Sequence, residues 1–155
     1  AAPGGAAGAG GGEDEEPHIG HPEAERHHQL EEVTVDELAA AAADGPVVVD
    51  WEAKWCRKCK YLRPKLVKLA NTMPALRFVS VDVNAAPFSA VQEAGVSKMP
   101  TIQVWRNGKK VGEVVGSDQA PVVLEKVNAM IHETTELQER HDVDVAQLRA
   151  DLRSG

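Results

Sequence analysis

The chain has 155 residues, with 17 Lys and Arg against 24 Asp and Glu and a formal charge of −7; that length holds one domain with a sizeable core, plus tails. The acidity sits at one end: residues 1–32 carry eight acids and the single base Arg26, whereas 33–155 carry sixteen of each sign. The acidity belongs to the tail and says nothing about what the folded part binds; no basic stripe with interleaved aromatics points to nucleic acid, and no apolar run approaches the roughly 18 residues of a membrane span.

Residues 1–12 are Ala, Gly and Pro only, and the polar stretch after them carries His18, His21, His27 and His28. Such a segment buries too little apolar surface to offset its ordering entropy, so 1–28 is expected to be a disordered acidic tail. Its histidines lack the spacing of a metal site. The chain begins at Ala1 rather than Met, so removal of an upstream segment is expected, and no signal-peptide pattern is recognisable here.

Order is expected from about Gln29, with a short strand to Val33. Thr34-Val35-Asp36-Glu37 fits a capping box, with Glu37 at the third helical position, and predicts a helix carried by Leu38 to Ala43 and ended by Asp44-Gly45-Pro46. Pro46 to Trp51 is an apolar, β-branched run that predicts a buried strand. Helical spacing of Tyr61, Leu62, Leu66, Leu69 and Ala70 places a helix after Cys59, with Pro64 predicting a kink or a redirected first turn. Arg77 to Asp82 is the next strand and Pro87 to Ala94 a short helix stopped by Gly95. Thr101 to Trp105 and Lys110 to Val115 form a hairpin around Asn107-Gly108. A helix from about Gln119 to His132 follows, with Val122, Val123, Val127 and Met130 on one face. Asp144 and Gln147 then fit the start of a separate short helix whose Val145, Leu148 and Leu152 dock on the domain or serve a partner. The order β-α-β-α-β-α-β-β-α implies an α/β fold around a central mixed sheet flanked by helices. The domain is set at 29–133, with 134–155 a helical extension.

The chemistry concentrates in Trp55-Cys56-Arg57-Lys58-Cys59-Lys60, which holds both cysteines of the chain. Two thiols at this spacing serve either a zinc site or a dithiol/disulfide pair. Structural zinc needs four ligands, and outside the tail the only histidines are the distant His132 and His141. Two cysteines flanking Arg57 and Lys58 are not the apolar setting of inert core thiols, so redox chemistry is expected. At a helix start, unpaired N–H groups and the dipole favour a thiolate. Cys56 is therefore the expected nucleophile, with a pKa drawn into the range of about 3.5–7.5 seen in such settings, and Cys59, one turn inside, the resolving thiol. Lys54, Arg57, Lys58, Lys60 and Arg63 surround the pair with Glu52 as the lone acid. Arg57 and Lys58 are expected to tune the thiol pKa and the potential and to favour acidic partner surfaces.

Residues 33–132 resemble a thioredoxin, and the WCRKC sequence resembles the plant plastid thioredoxin-like proteins that carry it. The resemblance rests on Asp50, Trp55 to Lys60, Val81-Asp82-Val83-Asn84, Lys98-Met99-Pro100-Thr101-Ile102, Gly108 and Gly116. It implies a thioredoxin fold and protein-disulfide oxidoreductase activity through a redox-active Cys56–Cys59 disulfide, with no bound cofactor or metal. Pro100 is then a cis-proline, and Trp55, Met99, Pro100, Thr101 and Gly116 form the surface on which an extended target segment pairs. Asp50 is implied as the buried carboxylate accepting the Cys59 proton, the alternative being a strand-end residue facing water. The implied partners are disulfide-bearing proteins and a ferredoxin- or NADPH-dependent thioredoxin reductase, in the chloroplast stroma, acting on a monomer without membrane or nucleic acid. A thioredoxin-fold binding or assembly module with little turnover is the alternative function. The chain departs from the common pattern in having Arg-Lys for Gly-Pro between the cysteines, Glu52 for an aromatic residue, and Phe78 for a buried lysine opposite Asp50.

Overall fold

The computed structural model describes residues 30–154, the side chains of 136–142 excepted; the tail expected over 1–28 lies outside the described residues. The elements are β1 (Glu31–Glu32), α1 (Val35–Asp44), β2 (Val47–Glu52), α2 (Arg57–Thr72), β3 (Arg77–Asp82), α3 (Phe88–Glu93), β4 (Thr101–Arg106), β5 (Lys109–Val115) and α4 (Ala120–Arg153). The strands form one mixed sheet in the order β1-β3-β2-β4-β5. β1, β3 and β2 run parallel, and β4 and β5 are antiparallel additions. β2 takes the centre because Val47 to Trp51 is buried throughout, a run that only a strand covered on both faces can hide.

Alternation along β2 assigns its side chains to two cores. Val47, Val49 and Trp51 meet Leu38, Ala41 and Ala42 of α1 and Val91 of α3. Val48 meets Leu62 and Leu66 of α2 and Val123, Val127 and Met130 of α4. Each fully buried Leu or Val here contributes about 1.5–3 kcal/mol over its exposed state. The helices are thus arranged as α1 and α3 on one face, α2 and α4 on the other.

The capping box at α1 forms, with Thr34 Oγ1 accepting from the Glu37 N–H at 3.2 Å and the Glu37 carboxylate accepting from the Thr34 N–H at 3.4 Å. Gly45 follows α1 in extended backbone with φ 172°, a conformation open to any residue, so the stop comes from the following proline and not from a left-handed glycine. At the β4–β5 turn the left-handed backbone is real: Asn107 has φ 52° and Gly108 φ 74°, the pair of positive values that Asn-Gly hairpins use. α2 runs through Pro64 without interruption.

The largest correction concerns the end of the chain. No second helix starts at Asp144; α4 is one helix of 34 residues from Ala120 to Arg153. No Gly or Pro occurs between Pro121 and Gly155, so nothing stops propagation once the first turns are docked. Leu148 and Leu152 are exposed and do not dock on the sheet.

Candidate active site

β2 ends at Glu52, and four residues later Cys56 is the N-cap of α2. Its backbone is extended, with φ −79° and ψ 112°. Its Sγ accepts the Cys59 N–H at 3.2 Å, the position that a serine or aspartate oxygen takes in an ordinary cap. The side chain that caps the helix is therefore a sulfur of the CxxC pair. Cys56 is 6% exposed and Cys59 wholly buried; the two are joined as a disulfide with Cα atoms 5.3 Å apart. Ala53, Val83 and Met99 pack around the pair.

The opposite wall comes from the segment before β4. The Met99–Pro100 peptide bond is cis, and the Cys56 Sγ lies 3.7 Å from the Met99 carbonyl oxygen. Thr101 Oγ1 donates to the Lys98 carbonyl at 2.6 Å, tightening the turn. The Gly116 N–H donates to the Pro100 carbonyl at 2.8 Å. A Cβ on Gly116 would stand 2.6 Å from Pro100 Cγ, so only glycine lets the end of β5 approach the proline this closely. Trp55 is 69% exposed beside the disulfide.

The basic residues divide. Arg57 is exposed at the helix start. Lys58 instead crosses to the β5–α4 connection, where its Nζ donates to the Ser117 carbonyl at 2.9 Å. There it lies near Asp118, whose carboxyl is held below the usual range first by Lys126 and also by Lys58. Lys58, Tyr61, Lys65, Pro100, Gly116 and Val123 border a groove of about 450 Å³ that reaches the cis-proline.

Asp50 is 1% exposed, which removes the alternative of a strand end facing water. It shares the α2-facing side of β2 with Val48 and Glu52. Neither carboxyl oxygen has a hydrogen-bond partner. Burial, and next the negative Glu52 beside it, push its pKa well above the ordinary value, while Arg63 pulls it back in part. A raised carboxyl that must ionise in a dry site is suited to taking a proton. Glu52 is itself bound by Arg63 of α2, with Nε donating to Oε2 at 3.1 Å and Nη2 to Oε1.

Sequence reading missed the Glu52–Arg63 pair, the Lys58–Ser117 bond and the place of Tyr61 in the groove. The first had a signal: Glu52 alternates with Asp50 on β2, and Arg63 lies four residues after Cys59, on the same helix face. The second had none, because it joins residues 59 apart. Among the described residues, no three His, Cys, Asp or Glu cluster as metal ligands, and no helix is long and apolar enough to cross a membrane.

A CxxC disulfide capping the helix that follows the central strand, faced by a cis-proline turn under a mixed five-stranded sheet, defines a dithiol protein of the thioredoxin fold. The chain belongs to the thioredoxin family, whose model matches residues 29–145. It is 57% identical over 86 residues to the chloroplastic thioredoxin-like 3-2 protein of Arabidopsis thaliana, a match covering 55% of this chain and 45% of that one. It is 39% identical over 111 residues to the chloroplastic thioredoxin-like 3-1 protein of the same plant, covering 71% and 53%. The chain thus spans about half the length of these relatives. In the crystal structure of a ferredoxin:thioredoxin reductase and thioredoxin f2 complex, one chain matches 70% of this protein at 28% identity with a TM-score of 0.60, over 96% of its own length. The resemblance to plastid thioredoxin-like proteins, like the fold, holds.

Proposed function

We propose that this protein reduces or exchanges disulfides in partner proteins through a mixed disulfide on Cys56. The observation that carries the reading is the unequal pair: a Cys56 sulfur at the helix cap, touching the Met99 carbonyl, and a Cys59 sulfur wholly buried behind it. In the reduced state the Cys56 thiolate attacks one sulfur of the target disulfide, and the other target sulfur leaves with the bond's electron pair. Asp50 accepts the Cys59 proton, the Cys59 thiolate attacks the Cys56 sulfur, and the Cys56–Cys59 bond forms as the second target thiolate departs. Two electrons pass from the dithiol to the target. An extended target segment pairs with the backbone at Met99 and Thr101, Pro100 and Gly116 border the groove that receives its side chains, and the exposed Trp55 offers it a further contact. Arg57 and Lys58 favour targets with acidic surfaces.

The chain acts as a monomer in the chloroplast stroma, in keeping with the chloroplastic relatives. Its oxidised form is returned to the dithiol by a ferredoxin- or NADPH-dependent thioredoxin reductase; the solved complex of a similar thioredoxin with the ferredoxin enzyme supports the first. The dithiol needs no further cofactor. The test is insulin reduction with dithiothreitol as donor, wild type beside Cys56→Ser. The oxidoreductase reading expects a rate well above that of the variant; equal slow rates would sink it in favour of a binding module. A Cys59→Ser protein should stall at the mixed disulfide and trap its targets from a stromal extract.

A further inference from the structure

The proposed chemistry leaves a problem at Asp50. A carboxyl 1% exposed must gain a proton from Cys59 and then lose it to water in every cycle. Neither of its oxygens has a donor when ionised, yet Glu52 stands two residues on along the same face of β2, where a protonated Asp50 O–H can donate to its carboxylate. That bond exists only in the neutral form, as two carboxyls sharing one proton require.

Glu52 also reaches the outside. With Lys60, Arg63, Pro64 and Ser80 it lines a cleft of about 1040 Å³ on the β3 side of α2. Its side chain is 12% exposed and is paired with Arg63, which is 40% exposed. The charged groups around Asp50 are few. Glu52 comes from its own strand and Arg63 from α2, the helix that also carries Cys59 one turn before Arg63. Its register partners on β3 and β4 are the uncharged Ser80 and Ile102. α4 presents Val123, Val127, Met130 and Ile131 to this core, and Glu32 of β1 acts on Arg63.

We propose that Asp50 and Glu52 form a carboxyl pair sharing one proton, with Arg63 as its counter-ion, and that Glu52 passes the proton between Asp50 and the cleft. The inference rests on Asp50 being the base for Cys59. In the resolving step the Cys59 S–H proton moves to Asp50 and the sulfur keeps the electron pair that attacks Cys56. The proton then moves along the Asp50–Glu52 bond and leaves to cleft water, restoring the ionised pair. Glu52 and Arg63 touch neither target nor sulfur; they are positioning residues that set the pH at which Asp50 works. This pairing occupies the positions where the chain has Glu52 in place of an aromatic residue and lacks a lysine opposite Asp50. The counter-charge comes from α2 instead of β3.

The test follows Asp50 directly, in reduced full-length protein labelled with carboxyl-carbon-13 aspartate and titrated by NMR. The Asp50 signal is assigned by its loss in Asp50→Asn. Glu52→Gln removes the like charge and should lower the Asp50 midpoint by about one pH unit or more. Arg63→Gln removes the opposite charge and should raise it, and Arg63→Lys should bring it back. The pH profile of single-turnover reduction of a small disulfide should move in the same directions. Midpoints that stay put in folded Glu52→Gln and Arg63→Gln proteins overturn the carboxyl pair, even if Asp50→Asn still abolishes the pH-dependent limb. A different failure is visible separately: if the midpoints move but the rate profile does not, and Asp50→Asn keeps that limb, the base role of Asp50 is overturned. A variant that does not fold leaves the decision to the other.

Discussion

Replacing Gln103 by Leu tests the scaffold that holds β2 and β4 together. Gln103 is wholly buried. Its Oε1 accepts from Trp51 Nε1 at 2.9 Å and from Trp105 Nε1 at 2.8 Å, and its Nε2 donates to the Ala94 carbonyl at 2.8 Å and to Glu113 Oε1 at 2.9 Å. Leucine fills the same volume and breaks all four bonds, but their losses differ. The Trp51 indole is buried, so its N–H is left without a partner, at about 1–3 kcal/mol. Trp105 is part-exposed and can turn to water. The Ala94 carbonyl and Glu113 keep Lys110 Nζ at 3.2 and 3.3 Å. These lesser losses add about 1 kcal/mol together, giving a cost of about 2–4 kcal/mol. Urea unfolding followed by circular dichroism measures it. In a Trp51→Phe background the orphaned N–H is gone, and the same replacement should cost about 1 kcal/mol. An equal cost in both backgrounds would refute the assignment of the loss to the Trp51 indole. The network matters for function because Trp51 adjoins Asp50 and β4 begins at Thr101, next to the Met99–Pro100 bond.

Three further outcomes follow from the site. Gly116→Ala forces a Cβ against Pro100; a loss of about 1–3 kcal/mol in unfolding free energy is expected, together with a lower kcat/KM for insulin reduction, and unchanged values of both would contradict the close approach. For Asp50, the folded pKa lies above that of the unfolded chain, so the native oxidised protein binds the proton more tightly and stability falls as pH rises between the two values. The fall is about 1.4 kcal/mol for each unit that separates them, and it ends above the folded value. Asp50→Asn should abolish it, so urea midpoints of variant and wild type should diverge from about pH 4 upward and stay parallel if Asp50 is not the source. Replacing Arg57 and Lys58 by Gly-Pro should raise the pH at which the Cys56 thiolate forms, read by ultraviolet absorbance. Arg57→Ala alone should give most of the shift, because Lys58 is held at the Ser117 carbonyl, where its charge acts on Asp118. A larger effect from Lys58→Ala would reverse that ranking.

Local pattern determined the element types, because a strand of period two and a helix of period 3.6 are visible within one element. The capping box at Thr34, the Asn107-Gly108 turn and the β-branched run of β2 each carry their instruction within a few residues. So does the dithiol, since Cys56 and Cys59 need only the helix start between them to become unequal. The long α4 was also locally encoded, in the absence of any breaker after Pro121, and the weak capping pattern at Asp144 obscured it. Asp50 could be pointed to from its strand, but its burial, its missing partners and its position beside Glu52 depend on α2 lying over β2. The Lys58–Ser117 bond and the Gln103 node join residues 59 and 52 apart, a range over which sequence periodicity carries no information. Tertiary packing alone decided these contacts, because the charge and hydrogen-bond partners of a buried group are whatever the neighbouring elements bring to it.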